Sequence, residues 1–60
     1  MKSQLIAAME NTVQEIEATG HEYAKFARRK LNHINEKSSL ESIYKTGKDI
    51  VMIAEKVNQA

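Results

Sequence analysis

His21 and His33 are the only imidazoles of this chain, and twelve positions separate them. Zinc sites need three or four protein ligands, and two histidines reach one metal from a helix when they stand three or four apart. Only Glu17, one turn before His21, could join an imidazole here. A carboxylate–imidazole pair by itself holds no metal, so both histidines read as solvated surface groups. There is no cysteine for a thiolate site or a disulfide. The serines stand at positions 3, 38, 39 and 42, in N-terminal or helix-capping contexts. No Gly-x-Ser-x-Gly elbow, glycine-rich phosphate loop or His-Glu-x-x-His motif occurs. Glu10, Glu17 and Glu22 fall largely off the apolar positions and read as solvated carboxylates. Sixty residues also cannot readily enclose a pocket of a few hundred Å3. These features predict a non-enzymatic protein, with no catalytic residue, cofactor or metal.

The strongest polar feature is the segment Lys25, Arg28, Arg29 and Lys30. Such a cluster can grip phosphates or an acidic partner, and a homodimer would present it twice. Consecutive helical residues fan around the circumference, however, so only Lys25 and Arg29, four apart, share a face. Read as a helix-turn-helix, the stretch Ser39–Lys56 places Gly47 at the turn. Lys48 then follows where an apolar residue is wanted, and the apolar periodicity runs through the supposed turn. Nucleic-acid binding through Lys25–Lys30 is therefore the alternative function rather than the first.

These side chains must be carried by helices. The chain has no proline and two glycines, and Glu, Lys, Gln, Ala and Leu fill many outward positions. In the first half Leu5, Met9, Val13, Ile16, Tyr23, Ala27 and Ile34 recur by threes, fours or their multiples, with Ile6, Phe26 and Leu31 widening the stripe. Gly20 falls on this stripe, so the periodicity predicts one helix over about 2–35. Against that, Thr19-Gly20-His21-Glu22 has the form of a capping box that would start a new helix. The alternative is a three-helix bundle broken at Gly20. Asn35 suits the end of the first helix, residues 36–38 form the turn, and Ser38 with Glu41 makes a second capping box. The last helix is expected over about 39–59, with Leu40, Ile43, Gly47, Ile50, Ala54 and Val57 spaced like a coiled-coil seam and Tyr44, Val51 and Ile53 flanking it. A tight turn near 37 would set Ala27 opposite Gly47 and Gly20 opposite Ala54.

The expected architecture is thus all-α, a single helical domain over 1–60. A long helix pairs with a shorter antiparallel one as a helical hairpin, dimerising into a four-helix bundle. The two helices would measure roughly 50 and 30 Å. The shorter cannot cover the N-terminal end of the longer, which leaves Leu5, Ile6, Met9, Val13 and Ile16 as the expected protein interface. The charge is segregated as well. Residues 1–22 carry −3, residues 23–37 carry +4 and the rest cancel, for a net +1. Two copies of the first helix would therefore attract in antiparallel register, beyond the simpler match of charge to helix dipole.

A 60-residue chain lies near the lower limit for folding alone, and seven of its 25 hydrophobic residues are alanine. With no cysteine to staple it, oligomerisation or docking is the remaining support. The reading is a small helical interaction protein that acts as a homo-oligomer and inhibits, adapts or assembles a larger partner. No apolar run of about 18 residues spans a membrane, and MKSQLIAAMENT lacks the form of a secretory signal. A cytoplasmic accessory protein of a bacterium or phage fits this size and composition.

Overall fold

In a computed structural model, which describes residues 1–59, the chain forms three helices: α1 (Lys2–Ala18), α2 (Ala24–Asn32) and α3 (Leu40–Gln59). Each packs against both others, within an envelope of 33 × 16 × 15 Å. A continuous helix over 2–35 would be about 50 Å long and would not fit that envelope. The single helix expected there, and with it the two-helix hairpin, gives way to the three-helix alternative.

The break is made by Thr19 and Gly20. Thr19 is the C-cap of α1, and its hydroxyl donates to the Ile16 carbonyl at 2.6 Å while accepting the His21 N–H at 3.2 Å. Gly20 follows with φ +73°, the left-handed conformation that ends helices and that a Cβ disfavours. Apolar spacing reports which face a residue occupies, and a glycine on the stripe cannot show by spacing alone whether the backbone turns there. The expected capping box does not form at Thr19. One turn of i→i+3 bonds, with Ala24 N–H to the His21 carbonyl at 3.0 Å and Phe26 N–H to the Tyr23 carbonyl at 3.0 Å, leads into α2 instead.

α2 ends at Asn32 with His33 as C-cap, three residues before the expected end. Asn35 builds the following turn: its Oδ1 accepts the Lys37 N–H at 2.7 Å and its own N–H donates to Ser38 Oγ at 3.0 Å. The cap of α3 is Ser39 rather than Ser38, since Ser39 Oγ accepts the Ser42 N–H at 3.1 Å. Glu41 sits in the first turn, where the helix dipole favours an acid.

Met9 approaches Gly47, and Ile16 shares a small depression with Ala54 and Val57. Numbers rise together on the two helices, so α1 and α3 run parallel, and the short links make α2 antiparallel to both. Val13, Ile16, Ala24, Ala27, Leu31 and Ile50 form the buried cluster, with Ile6, Met9, Ile34, Ile53, Ala54 and Val57 packed around it. Ile43 is buried beside them. Two of the seven buried apolar residues are alanines, which makes a slender core for 60 residues.

Candidate interaction surface

Five side chains were expected at an uncovered N-terminal face, and the three-helix arrangement divides them. Val13 and Ile16 are internal, 0% and 4% exposed, because α2 folds back over them. They belong to the core and not to an interface. Ile6 is half-buried against the same cluster. Leu5 and Met9 are half-buried as well, Met9 against the same cluster, and both line one wall of an open groove of about 730 Å3 between α1 and α3.

The other wall comes from α3. Tyr44 and Val51 line it, 60% and 54% exposed, with Ile43 and Ile50 beneath. Gly47 lies on the floor, where a Cβ would touch Met9 Sδ at 3.7 Å, an ordinary contact distance. The atoms nearest to such a Cβ thus belong to Met9, and a Cβ at Gly20 would meet nothing within 4 Å, Ala54 included. The Gly20–Ala54 pairing expected from a two-helix hairpin is absent, and the parallel α1–α3 packing brings Met9 to Gly47. Glu41, Lys45 and Lys48 stand around the groove and supply the charges nearest to it. Tyr44 and Val51 were visible in the sequence only as residues flanking the inward stripe of α3. Their common spacing with Leu40 and Gly47 (40, 44, 47, 51) is itself a helical stripe, and it signals a second apolar face.

The basic segment is divided too. The Arg28 guanidinium donates two hydrogen bonds to Glu10, at 2.6 and 2.7 Å, and two to Glu17, at 2.8 and 3.0 Å. The two carboxylates stand seven residues apart on α1, two turns along one face, and the planar fork of Arg28 reaches both. Those bonds hold the carboxyls of Glu10 and Glu17 below their ordinary value of 4.5 and push the guanidinium up. Glu17 therefore serves Arg28, while His21 accepts the Tyr23 N–H on Nδ1 at 3.1 Å. Lys30 reaches Asp49 of α3 at 3.5 Å. The acidic and basic halves of the first 37 residues thus attract within one chain, across the seam that the break at Gly20 creates.

Lys25 and Arg29 are the members of the segment without a carboxylate partner among the described residues. Both stand over the ring of Phe26, at 5.9 and 5.8 Å from its centroid, and that ring is 43% exposed. Tyr23 stacks at a tilt between His21 and Phe26. No group of three or more His, Asp or Glu side chains is placed to hold a metal among the described residues, and no described helix is long and apolar enough to cross a membrane. The chain matches no family model, no curated protein and no solved structure.

Proposed function

We infer that this chain is a small, non-enzymatic helical interaction protein that acts as a homo-oligomer and binds and regulates a larger macromolecule, as inhibitor, adaptor or assembly factor. The observation that carries this reading is the α1–α3 groove, an apolar trough with Leu5 and Met9 on one side and Tyr44 and Val51 on the other. Small-molecule pockets bury most of their ligand. This trough lies open to solvent between two helices, which suits an added helix better than a metabolite. Exposed apolar surface of this kind marks sites of protein contact.

The alternative, nucleic-acid binding, narrows to Lys25, Phe26 and Arg29. An exposed aromatic ring flanked by cations is a stacking platform for a base. Two unpaired cations are few beside the roughly 6–10 phosphate contacts that give strong electrostatic binding, and Arg28 and Lys30 are engaged within the chain. The groove is therefore preferred.

The test is the solution mass of the wild type beside Leu5→Glu/Met9→Glu. The expected result is an oligomer that the double substitution dissociates into helical monomers. A wild type that stays monomeric at millimolar concentration, with its mass untouched by the substitutions, overturns the reading.

A further inference from the structure

The groove and Tyr44, the one aromatic side chain of α3, lie on one face, and that is the form of a surface that fits itself. We propose that the groove is filled by α3 of a second copy of this chain, antiparallel and related by a two-fold axis near residues 45–46. The proposal rests on the homo-oligomeric reading above and specifies its geometry.

Three observations select this occupant. The first is shape. Leu40, Tyr44, Gly47 and Val51 form one stripe on α3. Three of them are exposed large side chains, and Gly47 is a gap on the groove floor beside Met9. In an antiparallel pair, positions whose numbers sum to 91 lie opposite one another. Tyr44 then enters the gap over Gly47 of the second copy, and Leu40 meets its Val51. Knob and hole occur on the same patch, as a two-fold contact requires. A tyrosine commonly buries about 150–250 Å2 when enclosed.

The second observation is charge. Glu41 and Lys48 both border the groove, seven residues apart along one face of α3. The register that seats Tyr44 over Gly47 also brings Glu41 of each copy alongside Lys48 of the other, giving two opposite-charge pairs. A parallel pairing would instead carry Glu41 and Lys48 of the two copies to opposite sides of the seam, where they do not meet.

The third is area. The chain exposes 4377 Å2. A folded monomer of its mass is expected to expose about 3,950 Å2. The excess is roughly a tenth of the surface, and the slender core gives self-association a stabilising role. The contact would leave Lys25, Phe26 and Arg29 on the outer face of α2, free for a further partner.

The experiment is a charge-exchange series on the full chain, read by the dissociation constant from sedimentation, with helicity checked for each variant. Glu41→Lys and Lys48→Glu should each weaken the dimer by about tenfold, and the doubly exchanged chain should regain most of that loss. The chain has no cysteine, so one introduced residue reports one distance between copies. Spin labels on Lys45→Cys should lie close together, and labels on Lys56→Cys should lie about 30 Å apart. A dimer that ignores both charge reversals, or that shows short distances at both labels, overturns this arrangement and leaves the interaction reading standing. A wild type that is monomeric throughout overturns both.

Discussion

The seam between α1 and α2 is closed, whereas the seam between α1 and α3 is closed only along its C-terminal half. On the α2 side, small residues Ala24 and Ala27 let the helices approach Val13 and Ile16, and Arg28 clamps Glu10 and Glu17 along the edge. On the α3 side, Ile16 meets Ala54 and Val57 at one end, but Leu5, Met9 and Gly47 leave a trough at the other. Both seams use small residues with different results. An alanine is sealed when large apolar side chains converge on it. A glycine on a seam whose neighbours stand to the side leaves a hole.

The largest contrast should come from neighbouring residues of α3. Ile50, 1% exposed at the centre of the core, should cost about 2–5 kcal/mol when cut to alanine. That is enough to unfold much of a domain this small. Val51→Ala, on the groove wall, should change the stability of the monomer by no more than about 0.5 kcal/mol. Urea unfolding of the two variants, at a concentration below dimerisation, checks both. Equal losses would mean that the groove is covered by the chain itself.

Gly20 and Gly47 should respond to alanine with opposite signs. Gly20→Ala places a Cβ at φ +73°, where open space gives no relief from the backbone clash, and should destabilise by about 1–2 kcal/mol. Straightening α1 into α2 would relieve that strain, so this variant should also raise the solution mass by exchanging helices between copies. Gly47→Ala adds a Cβ in ordinary contact with Met9 and removes a glycine from a helix interior. It should stabilise the monomer by up to about 1 kcal/mol, read as a higher melting temperature at low concentration. A loss there would show that the floor of the groove is tighter than the 3.7 Å contact implies.

The smallest expected effect is electrostatic. Arg28 hydrogen bonds lower the carboxyl values of Glu10 and Glu17, so the unfolded chain takes up these two protons before the folded one does as the pH falls. Their contribution is complete above the ordinary value of 4.5 and is lost as the pH drops through the lowered folded values. Thermal melts from pH 6 to pH 2 should therefore fall more steeply for the wild type than for Arg28→Ala. The clamp is only partly shielded from water, so the difference should amount to a few degrees. Parallel curves would assign the clamp no energetic role.

Helical class, the turn around residues 36–38 and the inward positions Ile43, Ile50, Ala54 and Val57 of α3 were legible in the chain, whereas Leu40, expected in the same stripe, is 40% exposed and Gly47 lines the groove. Each rests on local information: the absence of proline, capping side chains beside the break, and a three-and-four apolar spacing that any neighbour would satisfy. The proposal of a partner draws on the sequence as well, because a 60-residue chain rich in alanine has little with which to build a core. The tertiary structure decided where the uncovered surface lies. Leu5 and Met9 are half-buried along the groove, Val13 and Ile16 lie inside, and Tyr44 and Val51 line the groove from α3. The pivot is Gly20, on which two local signals disagree: the stripe favours continuing the helix and the Thr19-Gly20 pair favours ending it. Only the competition between burying Val13 and Ile16 under α2 and keeping the backbone straight settles it. That balance depends on contacts between residues far apart in the chain. The same balance converts the charged halves of the first 37 residues from an attraction between copies into the Arg28 clamp within one.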